Sequence, residues 1–160
     1  MPIVFEDNSI KVKSALLSGV KGILESIGGE IASQTERNSR VDSGKTAGSY
    51  DYKIEESGSE TTVYVGSDEE NAIWEEFGTG EYALKGNGRA GAWYVPVHSY
   101  AGKKKPTYNG KVVIVHGKNG VDFYKTNGKT PREPLTKAFK ATAPKVENRL
   151  ANEIKGKIGG

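Results

Sequence analysis

Apolar side chains recur every three or four residues through Val12, Leu16, Val20, Ile23, Ile27 and Ile31. That period puts them on one face of a helix. Asp7, Asn8 and Ser9 precede the stripe as N-cap residues, and the pattern runs to about Asn38. Gly19, Gly22, Gly28 and Gly29 interrupt it. A glycine inside a helix costs about 1 kcal/mol relative to alanine, so a bend or break is expected near Gly28-Gly29. The period then shortens to two. Ser49 to Glu55 alternates large and polar residues, Ser57-Gly58-Ser59 makes a turn, and Thr61 to Gly66 returns as a second strand of an antiparallel hairpin. Ala92 to Val97 predicts a short strand, with Pro96 placing it at an edge or an end. Lys111 to His116 and Val121 to Tyr124 flank Gly117-Lys118-Asn119-Gly120 as another hairpin. Thr130-Pro131-Arg132-Glu133-Pro134 opens a last helix, with Leu135, Phe139, Val146, Leu150 and Ile154 near one face. Pro144 should kink or divide that helix, and Lys155-Gly156-Lys157 with the final glycines reads as a frayed basic end.

Together these elements predict an α+β fold. It has a long N-terminal helix, an antiparallel sheet of about four to five strands with a short helix inserted, and a kinked C-terminal helix. A length of 160 residues suits one domain over 1–160, with a basic, glycine-rich loop at about 80–110.

The inserted helix carries Ala72-Ile73-Trp74-Glu75-Glu76-Phe77-Gly78-Thr79-Gly80. Trp74 and Phe77 are three apart and share a helical face. A packed aromatic hides about 150–250 Å², so this pair is expected in the core. The acids are expected to face water, a basic partner or another subunit. Gly78 and Gly80 give the backbone freedom to leave the helix. Ser67-Asp68 can cap it, with Glu69 and Glu70 in the first turn where the helix dipole favours acids. Trp93 and Tyr94 suit a core or an interface equally.

The charges are segregated. From Ile54 to Leu84 there are nine acids and no Lys or Arg, while from Ser99 to Thr130 the only acid is Asp122, against seven lysines. Such blocks can attract within the molecule, attract between copies, or stand apart as two solvated surfaces. The net charge of +3 is too small to argue for nucleic acid alone. Lys103, Lys104 and Lys105, with Tyr100 and Tyr108 nearby, are nevertheless a candidate contact for nucleic acid or a neighbour, against the plainer reading of a solvated loop.

Catalytic chemistry finds no footing. With no cysteine there is no thiolate or disulfide, and His98 and His116 lack metal-ligand spacing. Gly44-Lys45-Thr46 suggests a phosphate loop, but Ser39 stands where glycine is needed, and the order is helix then strand. Neighbouring acids such as Glu75-Glu76 point in different directions on a helix, so they make a poor catalytic pair. The expectation is no enzyme, no cofactor and no metal. No apolar run approaches the roughly 18 residues of a membrane span, and the N-terminus lacks a secretory pattern, so a cytoplasmic product is expected.

The order of motifs resembles the small tail-component family of tailed phages and prophages, the head–tail joining or tail-completion proteins of the neck. The motifs are the turn Val41-Asp42-Ser43-Gly44, then Ile73-Trp74-Glu75-Glu76-Phe77-Gly78-Thr79, then Lys129 to Phe139. Ser43 stands where Thr is usual, and Glu133-Pro134-Leu135 where Pro-Phe-Leu is common. The likeness spans roughly Ile10 to Ile154. It implies a non-enzymatic virion part, a homo-oligomeric ring taken as a hexamer, between the head connector and the tail terminator or tail tube, with viral DNA in its lumen. It places the protein in the neck, and in the host cytoplasm before assembly. The motif residues Val41, Asp42, Gly44, Trp74, Glu75, Glu76, Phe77, Gly78, Thr79 and Pro134 become interface or structural candidates, and the region from Gly80 to Pro106 a contact with neighbours. A tail-terminator ring and a DNA-binding module using the lysine loop are the alternatives.

Overall fold

The computed structural model describes residues 9–58 and 60–158. Asp7, Asn8, Ser59, Gly159 and Gly160 lie outside them, and with them part of the expected cap, turn and terminus. The fold is α+β, with three helices, α1 (Ser9–Asn38), α2 (Glu70–Phe77) and α3 (Pro134–Ile158). Its strands are β1 (Asp51–Ser57), β2 (Glu60–Gly66), β3 (Trp93–Pro96), β4 (Val113–His116) and β5 (Asp122–Thr126). The five strands form not one sheet but two: β1-β2, and a three-stranded antiparallel sheet ordered β3-β5-β4. The expected loop at 80–110 is correspondingly interrupted by β3 and by short 3-10 turns at Gly80–Tyr82 and Val97–Ser99.

The core is small and lies where α1, α3 and the β1-β2 hairpin meet. Ile27 and Ile31 of α1 pack with Ala138 of α3, and Ile23, Val65, Leu135 and Val146 close around them. Thr35 and Thr142, on α1 and α3, are fully buried, and Thr35 donates its hydroxyl to the Ile31 carbonyl at 2.7 Å. Arg149 and Lys145 of α3 reach Glu30 of α1 at 2.7 and 3.8 Å across the edge of this seam.

The expected break at Gly28-Gly29 does not occur, and α1 is continuous. The reason lies in packing. A Cβ on Gly28 would fall 2.7 Å from the Tyr52 ring and 2.8 Å from a Val63 methyl, so glycine is what lets the hairpin lie against the helix. Likewise α3 passes through Pro144 without dividing, because Ala138, Thr142 and Val146 hold its face on either side of the proline. Phe139 is not on that face: it is exposed, and Ala138 takes the buried position. The basic end at Lys155–Lys157 is the last turn of α3 rather than a frayed tail. Among the described residues no helix is long and apolar enough to cross a membrane.

Candidate assembly site

Helix α2 sits inside out relative to the hydropathy of its sequence. Ala72, Glu75 and Glu76 are buried, whereas Ile73, Trp74 and Phe77 are 59%, 40% and 39% exposed. The expectation that Trp74 and Phe77 enter the core is therefore wrong. The physical reason is that the two acids have partners that more than replace water. Glu76 accepts the backbone N–H groups of Leu135 at 2.9 Å and Thr136 at 3.0 Å, together with the Thr136 hydroxyl. It caps the first turn of α3, where free N–H groups and the helix dipole favour an anion. Glu75 forms ion pairs with Lys129 and, at 3.5 Å, with Arg40. Its own carbonyl accepts the N–H of Arg132 at 2.8 Å. Pro134, wholly buried, begins α3 at this point.

The Gly78-Thr79-Gly80 segment continues the junction as a clasp. Thr79 N–H donates to the Lys129 carbonyl at 2.9 Å, Lys129 N–H to the Thr79 hydroxyl at 3.0 Å, and Glu81 N–H to the Asn127 carbonyl at 3.0 Å. The two backbones run so close that a Cβ on Gly80 would collide with the Asn127 carbonyl and the Trp93 ring, and one on Gly128 with the Thr79 carbonyl. Both glycines also hold positive φ, +61° and +122°. Asn127, 2% exposed, gathers the ends: its amide donates to Glu81 and Asn109 at 3.0 Å and to the Tyr82 hydroxyl at 3.1 Å. The sequence offered no sign of this role. An Asn-Gly pair after a strand reads as an ordinary turn, and Arg40 was equally unmarked.

The first motif and Arg40, the residue before it, join from the other side. Arg40 donates to the Thr130 carbonyl at 2.9 Å and to its hydroxyl at 3.0 Å. Asp42 accepts the Lys103 N–H with both carboxylate oxygens at 3.1 Å, which fastens the lysine loop to the turn. Gly44 holds φ +86°, and Val41 is exposed. A cavity of about 730 Å³ lies between these segments, with Asp42, Glu75, Thr79, Trp93, Lys104 and Lys129 among its walls. Val41, Asp42, Gly44, Glu75, Thr79 and Lys104 thus come together. Trp74 and Phe77 do not line it.

The three-stranded sheet is the second unusual feature. Opposed residues of an antiparallel pair share a face. One face therefore carries Trp93, Val95, Ile114, Tyr124 and Thr126 together with His116 and Asp122, and the other Tyr94, Pro96, Val113, Val115, Phe123 and Lys125. The first face is turned inward at Tyr124 and Thr126, which are buried, and Tyr100 meets Tyr124 edge-on with ring centres 5.7 Å apart. The second is apolar apart from Lys125, whose ammonium lies 4.0 Å from the Tyr108 ring centre. Among the described residues no α-helix makes more than marginal contact with this sheet. Tyr94 on that face is 53% exposed and Val115 37%.

The charge blocks barely meet. Lys129–Glu75 is the single ion pair between them among the described residues. Glu55, Glu56 and Glu69 pair instead with Lys53, Lys21 and Lys45 at 2.7–2.9 Å. Lys103, Lys104, Lys105, Lys111, Lys118 and Lys125 have no ion-pair partner among the described residues, nor have Glu60, Asp68 and Glu70. Ser67 Oγ accepts the Glu69 N–H at 3.0 Å, but no side chain caps α2 directly. Compared with known protein families, characterised proteins and solved structures, the chain matches none of them.

Proposed function

We propose that this chain is a structural, non-enzymatic subunit of a tailed-phage neck, forming a ring that joins the tail to the head connector and lets DNA pass through its lumen. The observation that carries this reading is convergence. The second and third segments on which the resemblance rests are tied together by Thr79–Lys129 and Glu76–Leu135, Arg40 just before the first reaches Glu75 and Thr130, and the first lines the same cavity as Glu75, Thr79 and Lys129. Three short motifs shared by coincidence have no reason to meet, whereas a pattern that specifies one fold must bring its parts into contact. The outward aromatics of α2 and the uncovered apolar face of the three-stranded sheet add support, because apolar patches of this kind mark places where another protein docks.

The partners on this reading are further copies of the chain, the connector or stopper on the head side, and the terminator or tail tube on the other. The test is deletion of the gene in the parent phage, followed by electron microscopy. Separate filled heads and normal-length tails are the expected result, with the wild-type subunit located at the neck. Joined infectious particles would end the proposal, and overlong tails would favour the terminator role. Lys103, Lys104 and Lys105, exposed and without an ion-pair partner among the described residues, favour a second reading as a DNA-binding module. That reading expects duplex affinity that falls with salt and drops when the three become alanine. Affinity unchanged by the substitutions would dispose of it.

A further inference from the structure

We propose that two separate faces of this chain bind each other between copies. The exposed stripe of α2 on one copy seats on the outer face of the three-stranded sheet on the next. The stripe is Glu70, Ile73, Trp74 and Phe77, spaced i, i+3, i+4 and i+7, and all four are exposed. The receiving face is Tyr94, Val113, Val115 and Phe123. The pairing deepens the ring reading and rests on it for taking the partner to be a second copy.

Three observations carry it. First, the outer face of the sheet is apolar apart from Lys125, with Tyr94 and Val115 exposed on it, and no α-helix among the described residues covers it. An apolar patch left open in this way marks a place where another protein docks. Second, the stripe of α2 is fixed outward by what holds its other side. Glu75 and Glu76 are committed to Lys129, Arg40 and the start of α3, so the helix cannot roll to hide Trp74 without breaking those bonds. Third, the rims have opposite sign. Asp68 and Glu70 stand at the start of α2 without ion-pair partners among the described residues. Lys111 and Lys118 flank β4 in the same condition. At the other end of the stripe Lys85 lies 4.8 Å from the Phe77 ring centre, so the acidic character is confined to the Glu70 end. Opposite rims around apolar centres fix register as well as attraction.

The contact is heterologous: one copy gives α2 and its neighbour gives the sheet. Such a contact closes into a ring when its rotation divides a full turn, and otherwise runs on as a filament. It also permits a decisive mixing experiment. Trp74→Asp blocks the α2 face and leaves the sheet intact. Val115→Lys blocks the sheet face and leaves α2 intact. Both positions are exposed, and circular dichroism with a thermal melt checks that each variant folds. By light scattering, wild type should form oligomers that grow with concentration. Each variant alone should be a monomer, and an equimolar mixture should form a one-to-one dimer that grows no further.

Charge reversal gives a second measurement. Glu70→Lys with Asp68→Lys, or Lys111→Glu with Lys118→Glu, should each weaken self-association at least tenfold, and the chain carrying all four should recover it. Wild type that stays monomeric at every concentration, a single variant that still assembles, a mixture that stays monomeric, or a quadruple variant without recovery would each overturn the pairing. The neck reading would survive any of these, since it stands or falls on where the subunit sits in particles.

Discussion

Individual residues separate what glycine does for the backbone from what it does for packing. Gly22 and Gly28 are both interior to α1. A Cβ at Gly22 meets nothing within 4 Å, whereas at Gly28 it meets Tyr52 and Val63. Gly22→Ala should therefore stabilise the chain by about 0.5–1 kcal/mol, the helix-propensity gain alone. Gly28→Ala makes the same gain but overpacks a junction held by a strand pair, at about 1–3 kcal/mol, so it should lower stability on balance. Denaturant titration of the two variants reads the difference in sign. Tyr50 offers a comparable contrast. Its hydroxyl is buried and has no hydrogen-bond partner, while the nearby Ser39 hydroxyl is given to the Thr35 carbonyl at 2.9 Å. Burial pushes the phenol above its ordinary value of 10.0, with Glu76 and Glu75 adding to the rise and Ser39 opposing it. A raised phenol favours the folded state at pH values below 10.0, and that stability is lost as pH climbs through the folded value. Tyr50→Phe should leave neutral-pH stability unchanged or slightly higher and should flatten the decline in melting temperature above pH 10, measured by thermal melts across the alkaline range.

At the scale of elements, the long patterns were legible and the short helix was not. Helix α1 and the β1-β2 hairpin follow directly from periods of 3.6 and 2, and both occur close to the expected bounds. Helix α2 is too brief for periodicity to choose a face. Ala72, Glu75, Glu76 and Thr79 form one stripe, and Glu70, Ile73, Trp74 and Phe77 another, with identical spacing. Hydropathy selects the second for burial. The fold buries the first, because its carboxylates meet an arginine, a lysine and the open start of α3, none of which is visible within the segment. Glu76→Ala should consequently destabilise the chain by about 2 kcal/mol through loss of the cap, and Glu76→Gln by less, since the amide keeps one acceptor oxygen. Amide hydrogen exchange at Leu135 and Thr136 should rise first. Trp74→Ala, by contrast, should cost the isolated chain about 1 kcal/mol or less, far from the roughly 3–5 kcal/mol of a tryptophan removed from a core. A loss in that larger range would mean that the ring is buried in solution.

For the whole molecule, the division into two sheets is what the sequence could not convey. Each strand was readable, but nothing in β3, β4 or β5 says that they avoid the helices. Their hydrophobic runs look like ordinary core strands. The site was legible in part: the motif residues were nameable, yet their meeting point depends on Asn127, whose partners lie 18 to 46 residues away, and on Gly128, packed against Thr79. The charge segregation was readable as composition, but its resolution was not. Glu55, Glu56 and Glu69 find cations elsewhere in the chain, while Glu60, Asp68, Glu70 and six of the seven lysines of 99–130 have no ion-pair partner among the described residues. An uneven remainder of this sort makes association sensitive to ionic strength. Raising salt from low to physiological levels should weaken the proposed oligomer measurably in sedimentation velocity, and self-association indifferent to salt would show that apolar contact alone holds it.

The clasp has one consequence in time rather than space. Its bonds between Thr79–Tyr82 and Asn127–Lys129 join residues 45 to 50 positions apart. Closure over such distances is slow and comes late. During synthesis α2 therefore has only Arg40 to hold its acids until Lys129 and the start of α3 have left the ribosome. A chain stopped at residue 126 should show no cooperative melt. Unfinished copies would then present no ordered aromatic stripe, which would keep truncated products out of growing assemblies.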